Sequence, residues 1–328
     1  MARLLVTGGA GYIGSHTVRA LRAADHDVVV LDDLRDGRAE FVPDDVDLVE
    51  AATGDRAAVK AVLGGRGPFD GVLHFAASIS VGDSVTSPLA YWRNNVADCL
   101  TLVEETIAAG VDAFVFSSTA AVYGHPDVQP IAEDAPVRPI NPYGSTKAAV
   151  ERFLAEARSA GLLRSIALRY FNACGAHPDG GIGEAHDPET HLIPLALAAV
   201  AGDRPALKLF GTDYPTRDGT CVRDYIHVVD LASAHVVAVE ALMQGHGGGA
   251  YNCGTGVGTT NREVLDAVAE VAGRQVPVED AERRAGDPAE LRADPTRFSA
   301  EFGWEPTMSD LETVVSTAWD WYRELRTA

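Results

Sequence analysis

The stretch "NPYGSTK" at 141–147 places a tyrosine and a lysine four residues apart. Asn141 can cap a helix and Pro142 suits its first turn, so Tyr143 and Lys147 would lie one turn apart on the same face. A phenol is a weak base near neutral pH because its ordinary pKa is about 10. A nearby ammonium favours the phenolate and lowers that pKa. Such a pair can take the proton of a hydroxyl while hydride leaves the carbon that bears it. A chain with nine tyrosines and three lysines in 328 residues gives roughly 0.08 such pairs by chance, so the spacing is only moderately specific and its position must decide. Upstream, "FSSTAAVYG" carries Thr119, whose hydroxyl could relay a proton between a substrate and Tyr143.

These side chains need a scaffold, and the first half of the chain supplies one. The runs "RLLVT" (3–7), "DVVVLD" (27–32), "VDLVE" (46–50), "GVLHFA" (71–76), "AFVFSS" (113–118) and "SIALRY" (165–170) are nearly continuously apolar. That pattern fits strands covered on both faces. Helical patterns at 12–24, 55–63, 88–109 and 142–160 alternate with them. The rhythm predicts an α/β fold, a doubly wound parallel sheet of Rossmann type. Thr119 then falls just past a strand, at the carboxyl edge where open α/β sheets bind ligands.

The opening "LLVTGGAGYIGSH" places Gly8, Gly11 and Gly14 between a strand and a helix, and Gly9 adds a G-x-G-x-x-G reading. Glycines there allow a tight turn and let backbone N–H groups and a helix N-terminus approach a pyrophosphate. Asp32 closes the next strand, 18 residues beyond Gly14. It suits the adenosine ribose hydroxyls and repels a 2′-phosphate, which favours NAD over NADP. Asp33 is a second candidate for the ribose or adenine, and equally a solvated turn residue.

The net charge of −20 argues against nucleic acid and anionic membranes as partners. An anionic small molecule remains compatible if arginines gather around it. Only Lys60, Lys147 and Lys208 are lysines, and Cys99, Cys174, Cys221 and Cys253 form no Cys-x-x-Cys pair. The cysteines suggest neither a zinc site nor a disulfide framework, and no metal is expected. No leader or spanning segment is evident. A cytoplasmic protein is the expectation.

The motifs "VTGGAGYIGSH", "FSSTAAVYG", "PYGSTK", "RYFNACGAHPDG", "FGTDYPTRDGTCVRDYIHV" and "RRAGD" together resemble the extended short-chain dehydrogenase/reductases and, within them, the UDP-glucose 4-epimerase branch. The likeness runs nearly end to end, and the run from Phe210 to Val228 is its most specific part. It implies an NAD-dependent isomerase that interconverts UDP-glucose and UDP-galactose. Oxidation at C4 would give a 4-keto sugar, which is reduced again on its other face. Tyr143 would be the base, assisted by Lys147 and Thr119. The resemblance further implies cofactor contacts from Tyr12, Ile13, Phe75, Ala76, Asn94, Tyr143, Lys147 and Tyr170, beside the glycines and aspartates. Phe171 and Asn172 would lie between nicotinamide and sugar. His191, Leu192 and Phe210 would border the uridine, while Arg223, Arg284 and Asp287 would hold the UDP, and the two arginines match phosphate geometry. Tyr251 would crowd the sugar pocket and disfavour N-acetyl sugars. Residues 1–172 would form the NAD-binding domain and 173–328 a smaller mixed nucleotide-sugar domain, with 225–243 able to rejoin the first. A homodimer through the helices at 88–109 and 142–160 is expected.

Two departures from the family pattern stand out. The segment "HFAASISVG" has Ser78 and Ile79 where relatives usually carry a lysine, and Ala52 stands where they usually place an aspartate, with Asp55 three residues on. Weaker NAD retention is the expectation. Ala120 and Ala121 replace the acidic pair that a 4,6-dehydratase needs after the threonine, which disfavours that chemistry. A 4-epimerase of another UDP-sugar, pentose or N-acetylhexosamine, and a catalytically silent NAD-binding protein are the alternatives.

Overall fold

The computed structural model describes residues 1–284 and 286–327. Six strands alternate with helices along the first half: β1 Arg3–Thr7, β2 Asp27–Asp32, β3 Asp47–Glu50, β4 Gly71–His74, β5 Ala113–Thr119 and β6 Arg164–Tyr170. The helices are α1 Tyr12–Ala23, α2 Arg56–Gly65, α3 Val81–Thr86, α4 Pro88–Tyr91, α5 Cys99–Ala108 and α6 Pro142–Ser159. The helical pattern at 88–109 is not one regular helix. A π-helical stretch, Trp92–Asp98, joins α4 to α5.

The second half adds the short strands β7 Asn172–Cys174, β8 Leu207–Phe210, β9 Val222–Arg223 and β10 Tyr225–His227. It continues with β11 Gly248–Cys253, β12 Thr259–Thr260, β13 Val278–Ala281 and β14 Glu290–Leu291. Its helices are α7 Leu192–Ala201, α8 Val228–Met243, α9 Asn261–Ala272, α10 Thr296–Phe302 and α11 Leu311–Leu325.

A seven-stranded sheet in the order β11-β6-β5-β4-β1-β2-β3 is parallel at every pairing. Strand order reverses between β1 and β4, which opens a crevice at their carboxyl ends. One face packs Val6, Val30 and Val115 against Val18 and Leu21 of α1 and against Leu231, Ala238 and Leu242 of α8. The other packs Leu5, Val29, Val72 and Phe114 against residues of α2, α5 and α6. Covering both faces explains the unbroken apolar strands. A separate core gathers α7, α9 and α11 around Leu197, Val264, Val268 and Val315.

The division expected at residue 172 does not match the sheet. β11 lies far downstream, yet it pairs with β6 from Gly248↔Ser165 to Cys253↔Tyr170. α8 does return to the first core, as the 225–243 pattern allows, but β10 does not join the main sheet and pairs with β7 instead. The cause lies in sequence signal: "GGAYNC" opens on two glycines and alternates weakly, so it carries little strand pattern. No helix among the described residues is long and apolar enough to cross a membrane.

Candidate active site

α6 begins as its sequence dictates. Asn141 Oδ1 accepts the Gly144 N–H at 2.8 Å, and Pro142 occupies the first turn, where a missing N–H costs nothing. The helix runs past the carboxyl end of β5, which brings Tyr143 to Thr119. A hydrogen bond with Thr119 favours the Tyr143 phenolate, but burial outweighs it and pushes the phenol up to about 12.

Lys147 is buried, and its ammonium donates to the Ser117 carbonyl at 2.8 Å. It lies 4.9 Å from the Phe116 ring centre and 5.9 Å from that of Tyr143. Desolvation lowers it to about 8, so it still carries its charge at neutral pH. Thr119 pairs with Tyr170 across β5 and β6, and the Tyr170 hydroxyl is hydrogen-bonded to Ser117. Thr119, Tyr143, Lys147 and Tyr170 therefore converge on one end of two neighbouring strands.

The glycine loop follows β1, which β4 separates from β5 in the sheet. Gly8 has φ +73°, and a Cβ there would lie 2.5 Å from the Ala76 backbone nitrogen. At Gly14 a Cβ would lie 2.0 Å from the Gly8 carbonyl oxygen. Both positions require glycine, and together with Gly11 they leave a bare backbone cradle at the start of α1. Phe75 and Ala76 donate their N–H groups to the Thr7 carbonyl, which holds the β4 exit against this loop. Tyr12 and Ile13 open α1. The Tyr12 hydroxyl donates to the Gly175 carbonyl at 2.6 Å.

Asp32 is buried at the end of β2, and its carboxylate accepts the Ala10 and Leu34 N–H groups at 2.9 Å each. It is thus aimed at the cradle. Asp33 is exposed and accepts the Arg35 N–H in a turn, which favours the turn reading for it. Asn94 Oδ1 accepts the Ser78 N–H at 2.9 Å and hydroxyl at 3.0 Å. Asn95 completes a tie from Ser78 to Thr146 of α6, which links the loop after β4 to the helix of Tyr143.

The place of the absent lysine is not without a cation. Arg35 reaches Ser78 Oγ at 3.4 Å. Asp55 does not replace the absent aspartate, because its carboxylate caps α2 through Ala57 and Ala58. The Asp98 carboxylate lies over the same loop, close enough that a Cβ on Gly54 would meet it at 2.4 Å. Neither Arg35 nor Asp98 was legible from spacing, since each is brought in from another element.

In the second half of the chain, Arg223 donates to Asp287 Oδ1 at 2.6 Å, and the Arg284 guanidinium stacks over Phe210 at 4.2 Å. Residues from β8, β9 and the segment before β14 thus form a basic, aromatic-backed wall. Asn172 starts β7, its N–H bonded to the Asp224 carbonyl, and Phe171 packs with Ala120, Tyr123 and Leu291. His191 is the N-cap residue of α7 and Leu192 its first residue. The His191 imidazole faces Glu184 and Glu189.

Tyr251 does not line this site. Successive strand residues face opposite ways. Asn252 bonds Tyr123 and the Ile131 carbonyl, whereas Tyr251 is enclosed by Phe298, Phe302, His246 and Arg297. The discrimination against N-acetyl sugars inferred from Tyr251 therefore loses its basis. Leu291 of β14, in the same cluster as Phe171, went unnoticed because a leucine in a two-residue strand carries no chemical signature.

The family model for the NAD dependent epimerase/dehydratase family matches residues 4–254. A UDP-glucose 4-epimerase from Azospirillum brasilense is 50% identical over 98% of this chain and 92% of its own length. The crystal structure of UDP-glucose 4-epimerase from Brucella ovis in complex with NAD is similar at a TM-score of 0.95 and 46% identity, covering 98% of each chain. A UDP-glucose-4-epimerase from Stenotrophomonas maltophila, solved with bound NAD and formylated UDP-arabinopyranose, gives a TM-score of 0.97 at 40% identity over 100% of both chains.

Proposed function

Because the chain belongs to the NAD dependent epimerase/dehydratase family, we propose that it interconverts UDP-glucose and UDP-galactose with NAD as a resident cofactor. The observation that supports this reading is the convergence of Thr119, Tyr143 and Lys147 at the strand ends. The residues fit the dinucleotide: a cradle that any Cβ would fill, and a buried carboxylate at the end of β2. NAD, when bound, supplies the acceptor and donor of hydride at C4 of the sugar.

The chain's own residues handle the proton and the position. Tyr143 takes the proton of the 4-hydroxyl and later returns it, with Thr119 as the relay. Lys147, fixed by the Ser117 carbonyl, provides the positive charge that makes the phenolate accessible. Arg223 and Arg284 hold the diphosphate through charge-assisted bonds and offset the chain's overall negative charge. Asp287 keeps Arg223 in place, and Phe210 with Leu192 borders the uracil. Each turnover restores the cofactor, so incubation with UDP-galactose and no added NAD should yield UDP-glucose. No conversion by a preparation that contains bound NAD would sink the reading.

The second element of the proposal is a homodimer, which is supported by exposed apolar residues in one stretch of the chain. Val85, Leu89, Trp92 and Leu100 are 62, 82, 42 and 41% exposed, along the stretch from α3 to α5. A single chain rarely leaves such a row to water. A second copy of the same surface would cover it, as closed two-fold symmetry allows. Light scattering should give twice the chain mass, and Leu89→Glu should shift it to the monomer. A monomeric parent protein at micromolar concentration would refute the dimer. The four free, buried cysteines suit a reducing compartment such as the cytoplasm.

A further inference from the structure

The eight residues before α7 bring four potential ligands together. Glu184, His186, Glu189 and His191 each offer one donor atom, and these atoms lie within 4.8 Å of one another. His191 Nδ1 is 2.6 Å from Glu184 Oε1 and 2.8 Å from Glu189 Oε1, and His186 Nδ1 is 3.2 Å from Glu184 Oε1. The imidazole centres are 5.3 Å apart.

The surroundings hold this arrangement. The Glu184 side chain is 7% exposed, and its backbone carbonyl accepts the Trp321 indole N–H at 2.8 Å. Tyr12 meets the His186 ring edge-on at 6.2 Å and is itself anchored on the Gly175 carbonyl. Glu189 is oriented by the N–H groups of Thr190 and His191. Ligands fixed by such outer contacts need little reorganisation to bind an ion.

We propose that Glu184, His186, Glu189 and His191 form a binding site for one divalent transition-metal ion, zinc in the first instance. Two imidazoles and two carboxylates are ligands zinc takes readily, and the two carboxylates neutralise a dication. Bonds of about 2.0–2.2 Å in a tetrahedron separate neighbouring donors by roughly 3.4 Å. The three His–Glu separations, 2.6, 2.8 and 3.2 Å, fall below that value by less than about 1 Å, so small side-chain adjustments suffice. The site lies at the N-terminus of α7 and includes His191, next to Leu192. A bound ion would clip the loop to the helix that borders the nucleotide end of the groove.

The alternative is that hydrogen-bonded His–Glu pairs satisfy the cluster with no ion. Titration calorimetry on the tag-free full chain, stripped with chelator, separates the two. Zn²⁺ should bind at one ion per chain with a Kd of about 1 μM or tighter. His186→Ala and Glu189→Gln should each weaken it by roughly 10-fold or more. Circular dichroism melts check that both variants are folded, and Glu189→Gln, being nearly isosteric, carries the test if His186→Ala is not. No saturable uptake by the parent chain up to about 100 μM Zn²⁺, or uptake unchanged in the folded variants, overturns the site.

Discussion

Replacing Tyr143 by phenylalanine should lower kcat for UDP-galactose by roughly 10²- to 10⁴-fold, the range that a positioned acid–base group supplies. The substitution removes one oxygen from a ring otherwise held by α6 and its neighbours, so the fold and the NAD content should be unchanged. The large effect follows from the local electrostatics. Burial outweighs the Thr119 hydrogen bond and pushes this phenol up to about 12, and a neutral phenol cannot accept the sugar's proton. Positive charge must compensate, and Lys147 is the chain's source of it. Its own value is depressed to about 8 by the same burial, which leaves the ammonium populated at pH 7. Lys147→Ala should therefore move the rising limb of the pH–kcat profile to higher pH by about one unit or more. Undiminished conversion by Tyr143→Phe would eliminate this mechanism.

The second large effect concerns stability. Glu151→Ala should cost about 3–5 kcal/mol, read as a lowered urea midpoint, because it strands a buried guanidinium. Arg169 and Glu151 have side chains only 7% and 9% exposed, and they form a two-pronged pair. Arg169 also donates to the Tyr123 hydroxyl at 2.9 Å and to the Glu133 carbonyl, while Ser118 donates to Glu151. The network joins β5, β6 and α6 one residue away from Thr119 and Tyr170 and one turn beyond Lys147. It lies behind the groups to which the proposed mechanism gives the proton transfer. A Glu151→Leu, Arg169→Met double variant removes both charges and should regain much of the loss. If the double variant is as unstable as the single, the cost comes from packing and not from the uncompensated charge.

How much of this was legible depends on whether the signal was local. The glycine cradle, Asp32, the cap at Asn141 and the Tyr143–Lys147 turn all declare themselves within a few residues, because each rests on local spacing and local backbone geometry. The first six strands were legible because both faces are covered, which leaves an apolar run. Tyr251 was misplaced because strand parity decides which wall it faces, and β11 itself was not recognised. Arg35 reaches Ser78 across 43 residues, and Arg169 reaches Glu151 from a different element. No spacing rule encodes such meetings. The metal-type cluster was absent from the sequence reading, which weighed cysteine spacings and not the alternation Glu184, His186, Glu189, His191.

The late arrival of β11 bears on how the chain becomes a protein at all. A polypeptide growing from its N-terminus finishes β6 some 80 residues before its neighbour in the sheet exists. Until Gly248–Cys253 is made, the N–H and C=O groups of Ser165–Tyr170 have only β5 on one side and an open edge on the other. An unpaired edge is a template for pairing with another chain. The first 172 residues therefore contain six of the sheet's seven strands and leave β6 at its edge. The family match ends at residue 254, one residue past β11, the last strand that the main sheet takes in.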